Sequence, residues 1–424
     1  MAWGVVAVLA AANILSYLDR IIINLLVQPI QADLGISDTQ FGMLQGLAFG
    51  LFYTLLALPI GRMVDSRPRR TIIAAGVFTF SLFSLLSGLA RSFGQLFAAR
   101  VGVGAGEASL TPAAYSMISD LFPPEKLGRA ISVFTMTAFI GIGLAYVAGG
   151  ATVALVSAAD FSGWPLLEGL AGWQRVFVLV SIPGLLLVPA LLLMHEPART
   201  GRTRAGAVPL REVLGHVGGQ KGALFPMFAG FAAITLSGYA SAVWTPAFFI
   251  RAHGWTPAEI GLGYGLVTLA FAPLGAITAG RLCDWLSAKG VLDAPLKVAA
   301  FGYVGTGLFG GLAPLMPSGA LALALFAPAI FLSTMPFPMA GTAIQLITPN
   351  ELRGQVSALY MLVINTVGLG AGPIVVGAMS DYLFTGPDGV RYGLALVNAV
   401  AAPLAMVCLV TAFAPYRAAR AAQP

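Results

Sequence analysis

Four ionisable side chains stand inside stretches of otherwise apolar sequence: Asp19 and Arg20 as neighbours, and Arg100 and Glu107 further on. A charge at the centre of a bilayer costs about 2.5 to 3.5 kcal/mol on insertion scales, so such groups persist where they pair or act. Carboxylates exchange protons, and guanidinium groups hold anionic head groups through paired hydrogen bonds. Asp19 and Glu107 are therefore the candidates for proton coupling, with Asp19 the main site, and Arg20 and Arg100 the candidates for an anionic head group. The plainer alternative is two ion pairs that fasten neighbouring helices. Histidine is not available for proton exchange in mid-membrane, because His195, His216 and His253 all fall at the ends of apolar runs.

Spacing constrains how the four can meet. Arg100 and Glu107 are two helical turns apart, on one face and about 10 Å from each other along the axis, so a bridge between them needs a third group. Asp19 or Arg20 from a neighbouring helix is the expected partner. Adjacent helical residues diverge by about 100°, so Asp19 and Arg20 cannot both face one point.

The elements that must carry these residues follow from composition. With 58% hydrophobic and 9% charged residues and a mean hydropathy of +0.86, the chain excludes a soluble globular surface. A bilayer-spanning helix needs roughly 20 apolar residues. Cutting at charged, Pro-rich and Gly-rich breaks gives twelve segments, near 4–28, 38–61, 70–90, 93–120, 128–154, 173–194, 222–250, 257–281, 296–315, 319–347, 353–383 and 391–415. The first begins without a basic region or cleavage site, so it reads as a retained span rather than a signal peptide. Of the 23 Lys and Arg, Arg91, Arg175, Arg251 and Arg391 fall on one side, Arg20 and Arg100 lie within spans, and the rest gather on the other side. Lys and Arg accumulate in cytoplasmic loops, which predicts both termini in the cytoplasm and, in a bacterium, insertion in the inner membrane. Anionic lipid at that surface accounts for the net charge of +6 without nucleic acid. Cys283 and Cys408 lie at or within spans and imply no disulfide framework.

Two strings repeat. Gly61-Arg62-Met63-Val64-Asp65 is matched 219 residues later by Gly280-Arg281-Leu282-Cys283-Asp284, and Pro124 to Arg129 by Pro349 to Gly354 at a separation of 225. Matched offsets predict parallel repeats of six spans: an N-terminal bundle over 1–195, a cytoplasmic linker over 196–221 and a C-terminal bundle over 222–424. Leu210 to Val217 in the linker reads as a short interfacial helix.

The run from Gly61 to Arg70, with its Gly, the Asp four residues on and the paired Arg69 and Arg70, resembles the loop two-three signature of the major facilitator superfamily. Arg100, Gly102, Gly104, Gly106 and Glu107 in span four, with Leu18-Asp19-Arg20 in span one, narrow the likeness to the spinster-type lipid transporters, bacterial members included. The resemblance covers essentially the whole chain. It implies an all-α integral membrane protein with twelve transmembrane helices in two pseudo-symmetric six-helix bundles, working by alternating access. It also implies an inter-bundle gate at Asp65 and Arg69, with Asp284 in the repeated position. Glycines of spans four, five and eleven would allow close helix approach, and by resemblance some ease the rocking of the halves.

The C-terminal half offers no charge to set against the four: none occurs between Lys297 and Glu351, or from Gly354 to Ser380. Its cavity-lining candidates are Tyr239, Thr245, Gln345, Tyr360 and Asn365. A cavity charged on one wall and apolar on the other suits an amphipathic substrate, with protons and the bilayer as the other partners. The expectation is a proton-coupled carrier, acting as a monomer, for a lysophospholipid or a lipid resembling sphingosine phosphate; the alternative is a carrier of drugs or small organic anions. No nucleophile elbow, metal-ligand cluster or phosphate loop appears, so neither an enzyme nor a cofactor or metal is expected.

Overall fold

The computed structural model describes residues 2–199 and 209–422, apart from the side chains of Leu58, Asp65, Pro124 and Leu210. Among the described residues the secondary structure is helical, with no strand. Among the described residues, eleven helical stretches are long and apolar enough to cross a bilayer. In chain order they are Ala2–Leu25, Asp38–Val64, Arg69–Ser87, Glu125–Ala158, Gly172–Leu193, Lys221–His253, Pro257–Ala288, Ala294–Leu315, Gly319–Ile347, Arg353–Leu383 and Gly389–Ala421. The twelfth, span four, is split into Phe93–Glu107 and Leu110–Leu121. The split has a local cause: Pro112 has no N–H for the Ala108 carbonyl one turn back, and three glycines precede it. Span ten is interrupted in the same way at Met335, ahead of Pro336 and Pro338.

The repeat extends to how the helices begin. Ser37 and Gln40 form a capping box at the start of span two, and Thr256 and Glu259 exchange the same pair of bonds at the start of span eight. Ser92 caps span four and Ser318 caps span ten. Each supplies a hydroxyl acceptor to an N–H that the helix itself cannot satisfy, worth about 1 kcal/mol.

The chain forms two compact units. The first contains spans one to six together with Val243–Leu269; the second contains the remainder of spans seven and eight and spans nine to twelve. Within the first unit, Phe41 packs edge-on against Trp244 and Tyr146 against Tyr264. Gly150 lets span five approach so closely that an added Cβ would lie 3.0 Å from the Pro257 carbonyl oxygen. Arg251 of span seven joins span two, its two terminal nitrogens donating to Asp38 Oδ2 at 2.8 Å and Oδ1 at 2.7 Å. The core of the second unit gathers Phe231, Tyr303, Leu409 and Tyr416, and the linker helix Leu210–Gly219 adds Val213 and Val217 to it.

Candidate functional site

The first unit brings Asp19, Arg20, Arg100 and Glu107 into one buried cluster, yet Arg100 and Glu107 are not bridged. Arg20 takes Glu107: its Nε and Nη2 donate to Oε2 at 3.1 and 2.5 Å, and Ser16 Oγ donates to the same oxygen at 2.9 Å. Asp19 turns away to span three, where its Oδ1 accepts from Ser84 Oγ. Arg100, wholly buried, donates from Nη2 to Gln45 Oε1 at 3.1 Å. Asp19 Oδ2, Glu107 Oε1 and the Nε and Nη1 of Arg100 have no hydrogen-bond partner among the described residues. Buried polar atoms are ordinarily paired, so this concentration of bare donors and acceptors sets the cluster apart from an ordinary buried ion pair.

Access differs between the two arginines. The Arg20 side chain keeps 15% of its surface exposed, whereas Arg100 keeps none. Arg20 also lies over three rings, with its Cζ 5.1 Å from the centroid of Tyr17, 4.7 Å from Phe49 and 5.2 Å from Tyr53. The face of span two carrying Phe49 reaches it because Gly104 of span four has no Cβ, which would stand 2.6 Å from the Phe49 carbonyl oxygen. Arg100 also lies over Phe49, its Cζ 5.4 Å from the ring centroid. Such contacts are worth about 0.5 to 2 kcal/mol each and help to orient both guanidiniums in an apolar setting.

The loop between spans two and three carries one of the gate candidates. Arg69, given to an inter-bundle gate by the family resemblance, spends its donors inside its own unit. It is fully buried and bonds Asp120, the Ser116 carbonyl oxygen at 3.1 Å, Glu196 Oε1 at 3.0 Å and the Pro197 carbonyl oxygen at 2.7 Å. Glu196 in turn accepts from the backbone N–H groups of Arg69 and Arg70, at 2.9 and 2.8 Å. Pro68 offers no side-chain cap at the start of span three, and Glu196 from the end of span six supplies the acceptor and negative charge that this helix terminus favours. Of the other gate candidates, Asp284 is exposed on span eight, and the Asp65 side chain lies outside the described residues.

Glu196 lies beyond the apolar run of span six, and its proton affinity reports on this junction. Burial alone raises its pKa, but the hydrogen bonds from Arg70 and Arg69 and the Arg69 charge outweigh it and hold the carboxyl below its ordinary value of 4.5. A depressed folded-state pKa gives stability that is present above the unfolded value and lost as pH falls through the folded one. Thermal unfolding in detergent should therefore show a loss of Tm below about pH 4.5, and Glu196→Gln should start lower at neutral pH and show less of that acid loss. An identical acid profile in the variant would remove Glu196 from this role.

The family follows from how far the likeness runs along the chain. The model of the Major Facilitator Superfamily matches residues 9–373, from within span one to within span eleven. This chain belongs to that superfamily. An MFS-type efflux pump of Mycolicibacterium smegmatis is 30% identical, over 98% of this chain and 94% of that protein. Protein spinster homolog 1 of Homo sapiens is 27% identical, over 89% of this chain and 73% of that protein. The crystal structure of a bacterial homologue of the human lysosomal transporter spinster, in an inward-facing and occupied conformation, superimposes with a TM-score of 0.81 at 27% identity, over 99% and 97% of the two chains. The chain is thus a multi-pass major facilitator transporter of spinster type, not an enzyme.

In this transporter the cavity-lining candidates do not form one group. Thr245 is buried in the first unit. Tyr239 and Asn365 are half-buried in the second, Asn365 opening a π-helical stretch at Asn365–Ala371, and Gln345 is exposed there. Tyr360 is packed into the core against Phe228 and Phe231, with ring centroids 5.5 and 6.0 Å away. A tyrosine carries more apolar than polar surface, and burying it against aromatic neighbours favours the interior. The polar group that the second unit does assemble in mid-span is Asn398 with Ser237 and Ser241, the Ser237 hydroxyl donating to Asn398 Oδ1 at 2.5 Å and Asn398 Nδ2 to Ser241 Oγ at 3.1 Å.

The sequence reading missed Ser16, Asn24, Gln45 and Ser84, which hold the four charges in place. Their signal was present: each is a polar residue in the middle of an apolar span, and in a bilayer such a group needs a partner on a neighbouring helix.

Proposed function

We propose that this chain is a proton-coupled secondary transporter of amphipathic lipids of the lysophospholipid or sphingosine-phosphate class, working by alternating access, with both termini in the cytoplasm. The observation that carries the reading is that, among the described residues, the buried and incompletely satisfied charges in mid-span are those of spans one and four, whereas the mid-span polar group of the second unit is neutral. Arg20, the exposed member, meets the anionic head group first, and Glu107 releases it as it does so. Arg100 follows as the site opens. Asp19 is the main proton site, because a proton on its bare Oδ2 breaks no existing hydrogen bond. The acyl chain lies along apolar surface of the C-terminal half. Asp65 and Asp284 remain the groups proposed to latch the halves at the cytoplasmic side.

A second reading, a carrier of drugs or small organic anions, is favoured by the likeness to the mycobacterial efflux pump. One assay separates them. In proteoliposomes offered lysophospholipids, sphingosine phosphate and soluble organic anions, an imposed pH gradient is expected to drive lipid flux and leave soluble-anion flux at background. A gradient that drives anion flux but not lipid flux overturns the lipid reading and establishes the second.

A further inference from the structure

Gln45 occupies a position in the charged site that no part of the transport reading has used. It is buried on span two, at the start of a π-helical stretch, Leu44–Leu51, a rare local form often found at functional sites. Its side-chain amide has three partners, on spans one and four. Oε1 accepts from Arg100 Nη2 at 3.1 Å; Nε2 donates to the Arg20 carbonyl oxygen at 3.2 Å and to Asn24 Oδ1 at 2.6 Å. The amide cannot be turned over, because a guanidinium is a donor only and would then face the NH2 group. Arg100 has no other hydrogen-bond acceptor among the described residues, so Gln45 decides where that guanidinium points.

The connection continues. With its Oδ1 taken by Gln45, Asn24 shares a hydrogen bond with the phenol of Tyr146 on span five, and the Tyr146 ring packs edge-on against Tyr264 of span eight, centroids 5.1 Å apart. All of these residues belong to the first unit.

We propose that Gln45 is the positioning residue of the charged site: it aims Arg100, and through Asn24 it ties that aim to Tyr146, so that a change of partner at Arg100 is felt in span five. The proposal rests on the reading of spans one and four as the site of transport. It assigns separate consequences to the two ends of one amide. Gln45→Leu removes the acceptor from Arg100 and is expected to raise KM for a lysophospholipid about tenfold, the worth of a hydrogen bond to a charged group, with kcat changed much less. Gln45→Glu keeps an acceptor for Arg100 but has no N–H for Asn24; it is expected to restore KM and instead lower kcat about tenfold.

Because Gln45→Leu leaves a buried guanidinium without its acceptor and folds less readily, the deciding measurement uses Gln45→Glu and needs no substrate. Tm in detergent is measured for Gln45→Glu, Tyr146→Phe and the double variant. Residues in one hydrogen-bonded network are not additive, so the double variant is expected to lose clearly less than the sum of the single losses. Additive losses overturn the link to span five. Equal KM values in folded Gln45→Glu and Gln45→Leu overturn the aiming of Arg100. Non-additive Tm losses, with no panel lipid transported by the wild type, uphold the link and overturn the lipid reading alone.

Discussion

Asp19→Asn is expected to reduce pH-gradient-driven lipid uptake to background while leaving exchange between compartments of equal pH measurable. Asparagine keeps the shape of the side chain and an oxygen for Ser84, so the contact between spans one and three survives. What it removes is a site where a proton can reside and a negative charge in the cluster that holds Arg100. Glu107→Gln provides the contrast. There the acceptor for Ser16 survives and the Arg20 ion pair is lost, so the head-group arginine is released and the change should fall on KM rather than on the drive. Gradient-driven uptake by Asp19→Asn with the wild-type pH dependence would remove Asp19 from proton coupling, and the same result with Glu107→Gln replaced as the dead variant would move the role there.

What could be read without coordinates, and what could not, follows from the cost of each group. Twelve spans and four intramembrane charges were legible because the bilayer penalises departures so heavily that few innocent explanations remain. The pairing of those charges was not legible. Arg20 and Glu107 are 87 positions apart, and their meeting depends on how span one lies against span four. Nor were Gln45, Asn24 and Ser84 visible as a set, because uncharged polar residues enter membrane helices at modest cost and many pair locally, as Thr54 does with the Gly50 carbonyl oxygen. The burial of Tyr360 was not legible because its ring and its hydroxyl argue for different environments, and packing in the second unit decides between them. The break in span four was foreshadowed by Pro112 and the glycines before it, but a proline inside a helix as readily gives a kink as a split. That this break follows Glu107, and that span ten breaks at the matching place, agrees with the use of discontinuous helices at binding sites in duplicated transporters.

The fate of Arg69 gives the largest effect on folding. Its loop signature predicts a latch, but its guanidinium joins Asp120 near the end of span four, Glu196 and Pro197 beyond span six, and the Ser116 carbonyl oxygen. Arg69→Ala leaves those acceptors together with nothing between them. Removing one partner of a buried ion pair costs about 3 to 5 kcal/mol, and the lower end applies here because Glu196 keeps its two backbone donors and part of its exposure. For a unit of this size such a loss lowers Tm by roughly 10 °C. Arg69→Lys should recover little of it, since one ammonium cannot reach Asp120, Glu196 and Pro197 at once as a planar fork does. Tm in detergent and the yield of monodisperse protein test this directly. A residue whose role is to latch two halves gives the opposite pattern, with Tm held and transport altered, and that result would return Arg69 to the gate and leave span three without its anchor.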